Sequence, residues 1–186
     1  MNNDKIFNGF DKVKWGSTID EVKAIYPELI EDNNENILPG IRILAYEDLL
    51  NKDDYLESRF FKFYNNKLGL VNVSFYSSEN FNVFQEYVYG SIVNTFVQKY
   101  GSPKIKKENE IKYNGDGTYD KTLEMRIKVS PEMEIMIFDT YNILESTDEV
   151  INHAIVFEYM NINIVKDFNE INQKKYNLIL WNNIYI

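Results

Sequence analysis

A short motif occurs twice in the chain and constrains its fold more than any other feature. It consists of a Gly-Ser pair and, ten residues after the glycine, a tyrosine followed by a helix-ending residue. The two copies, 74 residues apart, are Gly16-Ser17 with Tyr26-Pro27 and Gly90-Ser91 with Tyr100-Gly101. Between the pairs, apolar residues follow the spacing of one helix face. The motif predicts an internal repeat, 10–80 and 81–165, because a unit that cannot bury its own apolar face packs against its copy.

The motif also predicts where two helices begin and end. Ser17 or Thr18 supplies the first N-cap, with Asp20 or Glu21 at the capping-box spacing. Pro27 ends that helix because its ring cannot continue one. The second helix is predicted over 82–100, and the glycine and proline that follow it are typical of a helix C-terminus.

Alternating apolar residues predict strands after each helix. The clearest hairpin joins 59–64 to 68–76 through Asn65-Asn66, because asparagine tolerates the positive φ of a tight turn. Further strands are predicted at 105–113, 118–129, 133–138 and 153–160. The polar stretches 31–36 and 142–149 are predicted to be loops. Residues 165–175 are predicted to form a third helix with Phe168 and Ile171 facing inward.

These patterns predict an α+β protein. Two related halves, each a helix followed by an antiparallel meander, are expected to pack as a single domain over 1–186, with the helices on one face of the sheet. No linker-like segment separates the halves. The end of the chain, 166–186, is expected to dock on the core because 178–186 is strongly apolar.

Composition excludes several classes of function. The 29 acidic residues outnumber the 20 basic ones and give a net charge of −9, so nucleic acid and anionic membranes are poor partners. The chain has no cysteine, which excludes disulfides and thiolate chemistry. No secretory signal or apolar span is evident. The chain as written is expected to be cytoplasmic, or to belong to the cell envelope if a signal or lipid anchor has been removed.

Candidate catalytic and metal-binding residues are few. His153 is the one histidine, and its place at the start of an apolar strand favours a hydrogen-bonded structural residue. The segment 114–120 spaces oxygens as a calcium loop does, but it has Tyr119 where an EF-hand needs glycine. It is interpreted as a hairpin turn. Acidic pairs, as at Glu47-Asp48 and Asp53-Asp54, favour solvated loops over glycosidase chemistry. No catalytic residue, cofactor or metal is predicted.

A sheet face is the predicted binding surface. If Phe61, Phe63 and Val73 point into the core, strand alternation places a mixed aromatic and charged set on the opposite face. That composition is typical of protein interfaces. The predicted binding residues are Phe60, Lys62, Tyr64, Tyr76 and Arg126.

Three segments resemble tandem helix-plus-antiparallel-sheet modules of the bacterial envelope, of the beta-lactamase-inhibitor-protein-like type. They are Trp15-Gly16-Ser17 through Glu21-Val22, Phe63-Tyr64-Asn65-Asn66-Lys67-Leu68, and Tyr100-Gly101-Ser102-Pro103. The resemblance covers 15–30 and 60–103, and the chain departs from such modules in lacking cysteines and a signal or lipobox. It implies a non-catalytic module that binds proteins or supports assembly through its sheet face.

The sequence therefore predicts a protein-binding or assembly module with a protein partner. Two alternatives stay open. An acidic immunity or antitoxin-like protein would neutralise a basic partner through salt-sensitive contacts. A small carboxylate-dependent hydrolase would need a deep pocket that holds an acid with a raised pKa.

Overall fold

The computed structural model describes residues 8–32, 38–52, 55–77, 84 and 89–172, and their side chains except at 47–52, 55–56 and 105–110. The helices are α1 (Ile19–Ile25), α2 (Gly90–Tyr100) and α3, which covers 162–172. The strands are β1 (Gly9–Phe10), β2 (Val13–Lys14), β3 (Ile30–Asp32), β4 (Ile41–Lys52), β5 (Tyr55–Tyr64), β6 (Lys67–Ser77), β7 (Lys104–Tyr113), β8 (Thr118–Lys128), β9 (Met133–Leu144) and β10 (Val150–Asn161).

Two antiparallel meanders join into one sheet. Its strand order is β3-β4-β5-β6-β10-β9-β8-β7, and β1 and β2 form a separate small hairpin. The last strands of the two meanders, β6 and β10, pair with each other at the centre of the sheet. The α+β class with an antiparallel sheet is thereby confirmed. A helix precedes each meander, but the internal repeat stays a prediction.

Local sequence explains the start of α1. The Thr18 hydroxyl accepts a hydrogen bond from the Glu21 amide, and the Glu21 carboxylate accepts one from the Thr18 amide at 2.7 Å. This capping box satisfies amides that have no partner within the helix. Backbone hydrogen bonds of Gly16 and Ser17 to Leu68 fix the helix start to β6.

One face of the sheet carries the main hydrophobic core, and we call it the inner face. One cross-strand row consists of Phe61, Val71, Tyr159, Ile135 and Ile127. Ile19 and Val22 of α1 join the buried cluster at the β5 and β6 end of this face, and Phe96 of α2 joins the cluster at the β9 and β10 end. Both helices therefore cover the inner face.

Helix α3 packs against the opposite, outer face. Its Phe168 contacts Tyr64 at 5.1 Å between ring centroids, in a small cluster with Leu70. Gly69 permits this approach, because a Cβ there would lie 2.8 Å from Ile164 of α3 and 2.7 Å from the Tyr64 ring. The prediction that the helices lie on one face is therefore not confirmed.

The predicted elements match the described residues in part. The turn at Asn65-Asn66 has the expected positive φ angles of 49° and 62°. Glu31 and Asp32, predicted in a loop, belong to β3, and residues 142–144 extend β9.

A further difference concerns α3. Phe168 is buried as predicted, but Ile171 is 45% exposed because α3 contacts the sheet through residues one turn earlier. Helix α2 begins at Gly90, and of the residues predicted to be helical before it, Phe84 and Tyr89 have π-helical conformation. Of the predicted helical residues before it, 82–83 and 85–88 lie outside the described part of the chain, as does the apolar end 173–186. Within the described ranges, no helix has the length and apolar character needed to span a membrane.

Candidate binding cleft

A cleft of about 610 Å³ opens on the inner face above the central strands. Its floor is formed by β6 and β10, one wall by α2, and the other wall by the β1–β2 hairpin with Arg59 of β5. Clefts of 300–1,000 Å³ are of the size that binds ligands in proteins. The lining residues are Gly9, Phe10, Asp11, Arg59, Val73, Phe75, Ser91, Ile92, Thr95, Phe96, Lys99, Tyr100, Phe157 and Tyr159.

Aromatic rings hold the walls to the floor. Phe96 of α2 lies 4.7 Å from Phe157, and Tyr100 lies 6.0 Å from Tyr159, measured between ring centroids. From the opposite wall, Phe10 contacts Tyr159 at 5.0 Å. These tilted and edge-on contacts are the favoured geometries for aromatic pairs, so the cleft has an ordered aromatic floor.

The wall beside Phe10 depends on a glycine. A Cβ at Gly9 would clash with the backbone carbonyl oxygen of Val13 across the hairpin, so this position favours glycine. Asp11 follows in the turn with a φ of 52°, a conformation that aspartate tolerates better than most residues. The tight hairpin brings Phe10 and Asp11 to the rim of the cleft.

The cleft contains two cationic side chains. Arg59 is hydrogen-bonded through its Nε to Glu57 at 2.7 Å, and its side chain is 37% exposed. The Lys99 ammonium lies 5.0 Å from the centre of the Tyr100 ring. Lys99 is exposed, as are Ser91 and Thr95 along the same wall of α2. The three are spaced four residues apart and form a polar rim.

One carboxylate, that of Asp11, lies among the described lining residues. It accepts a hydrogen bond of 2.5 Å from the Tyr26 hydroxyl. Burial and this hydrogen bond raise the pKa of Tyr26 to about 12, and the nearby charge of Arg59 opposes the increase. Arg59 also borders a smaller cavity of about 140 Å³ beside Tyr26. The arginine thus lies between two cavities of the inner face.

Tyr159 supplies the hydroxyl group of the described floor residues. Burial raises its pKa above the usual range, and the neighbouring Tyr100 adds to the increase. The group therefore stays a neutral phenol at physiological pH. It can donate or accept a hydrogen bond there, but it cannot act as a phenolate nucleophile.

A buried polar network lies next to the cleft on the same face. His153 is fully buried, and its Nε2 lies 2.5 Å from Asp139, whose other oxygen accepts a hydrogen bond from the Tyr89 hydroxyl at 2.7 Å. Tyr141 stacks on the imidazole at 4.2 Å and Phe84 contacts its edge. The prediction of a buried, hydrogen-bonded histidine is confirmed.

The predicted binding residues lie on the outer face, as strand alternation implied. Phe60 and Arg126 belong to one cross-strand row, completed by Asn72, Glu158 and Met136. Tyr64 is 6% exposed because α3 covers it, so it is not part of an accessible surface. Phe60, Lys62 and Tyr64 therefore lie side by side on β5. Tyr76 lies on β6 two rows away, and Arg126 is separated from Phe60 by three strands of the same row.

Charges on the outer face largely contact each other. Arg126 lies 2.8 Å from Glu134 and 3.9 Å from Glu124. Burial raises the pKa of Glu158, while the charge of Lys62 and a hydrogen bond from Asn72 oppose the increase. Because Arg126 and Lys62 interact with glutamates of the same face, the outer face has fewer charges available to a partner than the number of its charged residues indicates.

The loop at 114–118 is a closed turn. Asp116 accepts hydrogen bonds from the amide and the hydroxyl of Thr118, and the hydroxyl bond lowers the pKa of Asp116. Asn114 also bonds back to Thr118. Within the described part of the chain, no three His, Asp or Glu side chains are grouped to hold a metal ion.

Sequence reasoning missed the cleft residues, although one signal was present. Arg59 lies two residues before Phe61 and four before Phe63, and alternate residues of a strand face the same side of the sheet. Strand alternation therefore predicts that the Arg59 guanidinium lies on the inward face. Lys99 and Tyr100 are near the end of a helix with no obvious link to Phe10. These three residues line one cleft only because segments far apart in the chain pack together.

Comparison with family models, with curated proteins and with solved structures gives no significant match. The molecule is thus defined by its own features, as an α+β protein with an aromatic cleft on the inner face of an antiparallel sheet.

Proposed function

We propose that the protein is a non-catalytic binding module that holds a segment of a protein partner in the inner-face cleft. The observation that carries the proposal is the lining of the cleft, which combines tyrosine and phenylalanine rings with an arginine and a lysine. Tyrosine and arginine are, with tryptophan, the residues most enriched at the energetic centres of protein interfaces.

The chemistry of the lining supports binding more than hydrolysis. Glycoside hydrolysis needs two carboxyl groups about 5–9 Å apart, whereas Asp11 is the one acid among the described lining residues. Asp139 and His153 are buried beside the cleft rather than in its lining. A base held there has no path to a substrate in the cleft.

The cleft is also a better candidate than the outer face. Tyr64 is covered by α3, and Arg126 is engaged by glutamates of the same face. In contrast, three exposed residues of α2, Ser91, Thr95 and Lys99, border the cleft. Within the described part of the chain, a partner can therefore reach the cleft without displacing a helix.

In this proposal, the two halves of the chain together form the binding cleft. We interpret them as related helix-plus-meander units whose last strands meet beneath the cleft. Two packed copies create a concave surface at their junction, and α2 of the second half faces the β1–β2 hairpin of the first half across it. The binding site is then a product of the pairing.

Co-precipitation with a blocked cleft tests the proposal. In Thr95→Trp, an indole replaces an exposed side chain of the cleft wall and is expected to abolish capture of a specific partner. The matched control is Asn94→Trp, which adds the same ring at an exposed neighbour outside the lining. Equal capture by both variants would refute the cleft as the binding site. Loss of the partner in Phe60→Ala alone would move the site to the outer face.

A further inference from the structure

We infer that the segment bound in the cleft is acidic, with an aromatic or aliphatic side chain flanked by carboxylates. This inference rests on the proposed function and specifies the chemistry of the partner. Each part of the pattern follows from groups that line the cleft.

The charge of the cleft is opposite to that of the molecule. Acidic residues outnumber basic ones by 29 to 20 in the whole chain, but Arg59 and Lys99 outnumber Asp11 among the described lining residues. Asp11 already accepts the hydrogen bond from Tyr26, which occupies part of its acceptor capacity. The described lining residues therefore carry one net positive charge, and Glu57, which pairs with Arg59, lies outside the lining.

The two cations differ in what they can still bind. Glu57 engages Arg59 through a single oxygen, Oε1, whereas a guanidinium carries five N–H donors. Arginine favours carboxylates because its donors match their geometry. Lys99 is exposed and lies over the ring of Tyr100, so it can meet a carboxylate without losing a buried partner.

The positions of the cations define the pattern of the ligand. Arg59 enters from β5 and Lys99 from α2, on different walls, with the rings of Phe157 and Tyr159 in the floor between these elements. A ligand that satisfies all of these groups has anionic groups on either side of an apolar group. A short extended peptide with acidic residues flanking an aromatic one has this arrangement.

A protein segment fits better than a nucleic acid with the same charge. The phosphate backbone of a nucleic acid would extend beyond the cleft along a protein whose net charge is −9, which repels it. A segment of a few residues keeps its charge within the cleft. The hydroxyl groups of Ser91 and Thr95 at the rim can bond to its backbone.

The test is an NMR titration of the full chain, which detects weak binding by short peptides. The probes are three capped peptides, Gly-Asp-Phe-Asp-Gly, Gly-Asn-Phe-Asn-Gly and Gly-Lys-Phe-Lys-Gly, together with phenylacetate as a small acid. We expect the acidic peptide to bind most tightly and the lysine peptide least. The shifted resonances should come from residues that line the cleft.

Two variants with the same change in net charge separate local from general electrostatics. Lys99→Gln removes a cation inside the cleft, whereas Gln98→Glu adds an anion at an exposed neighbour outside it. For the acidic peptide, Lys99→Gln is expected to weaken binding by about two- to fivefold, as for one exposed ion pair. The effect of Gln98→Glu should be smaller, and raised salt should weaken binding further.

The outcomes distinguish the inference from the proposed function. Equal or tighter binding of the neutral or lysine peptide, lost in Thr95→Trp, overturns the acidic pattern and keeps the cleft as a binding site. Binding of phenylacetate without any peptide overturns the peptide assignment. If no probe shifts the cleft resonances, the inference is wrong, and the co-precipitation experiment alone decides the proposed function.

Discussion

Two tyrosine–aspartate hydrogen bonds on the inner face have similar geometry and opposite surroundings. The Tyr26 hydroxyl bonds to Asp11 at 2.5 Å at the rim of the cleft, where the aspartate is exposed. The Tyr89 hydroxyl bonds to Asp139 at 2.7 Å, and that aspartate is 4% exposed and also bonds to His153. The comparison shows that the same chemical pair can have two roles. The Tyr89–Asp139 pair is buried and stabilises the fold, whereas the Tyr26–Asp11 pair leaves the aspartate charge accessible to solvent.

Each pair also fixes a different element. Tyr89 immediately precedes α2, so its bond to Asp139 ties the start of that helix to β9. Tyr26 follows α1, and its bond to Asp11 ties the helix end to the β1–β2 turn. The buried pair thus positions one wall of the cleft, and the exposed pair positions the other.

Removal of the two aspartates should separate the pairs most clearly. Asp139→Ala is expected to lower the free energy of unfolding by about 3–5 kcal/mol, because it leaves buried groups of Tyr89 and His153 without their partner. Asp11→Ala should cost about 1 kcal/mol or less, since water replaces the lost acceptor. Urea unfolding followed by circular dichroism measures both. Similar costs would show that burial does not distinguish the pairs.

Removal of the tyrosine hydroxyls is a milder form of the same test. Tyr89→Phe keeps the ring that contacts His153 at 4.9 Å and is expected to cost about 1–3 kcal/mol. Tyr26→Phe should cost about 0.5–1 kcal/mol, because Tyr26 is half-buried and its acceptor, Asp11, is exposed. Thermal unfolding of the two variants gives the comparison. A larger cost for Tyr26→Phe would contradict it.

The exposed pair should also produce an effect of its own at alkaline pH, where Tyr26 titrates. Burial and the bond to Asp11 raise the pKa of Tyr26 to about 12, while an unfolded tyrosine titrates near pH 10. A raised pKa in the folded state stabilises the protein below pH 10, and this contribution is lost as the pH rises from about 10 to 12.

The measurement is the slope of unfolding free energy against pH in that window. The wild type should lose stability more steeply than Tyr26→Phe, because the variant lacks the group that titrates. Asp11→Ala should reduce the slope in part, since burial remains. Equal slopes for wild type and Tyr26→Phe would show that the folded protein does not perturb this tyrosine.

Much of the fold could be predicted because it depends on local rules. The Thr18 capping box, the turn at Asn65-Asn66 and the alternation of β5 and β6 each involve residues a few positions apart. Strand β4 is different. Its sequence has no clean alternation, and it is a strand because β3 and β5 pair with both of its edges.

The cleft could not be predicted in the same way, because no short segment encodes it. Phe10 and Tyr159 are far apart in the chain and meet through the pairing of β6 with β10. The useful signal in the sequence was the side of the sheet on which each polar residue of a strand is expected to lie. Arg59, Asp139 and His153 all occupy inward positions near apolar inward residues of the same strand, and each marks a polar feature of the inner face.

The central position of β6 has a consequence for synthesis of the chain. Its partner β10 begins more than 70 residues after β6 ends, so at 5–20 residues per second the ribosome needs roughly 4–15 s to supply it. During that interval the first meander presents a long, apolar strand edge, a form that readily pairs with other chains. The nascent protein is therefore most exposed to aggregation before its second half emerges, and chaperone contact should concentrate on residues 67–77 at that stage.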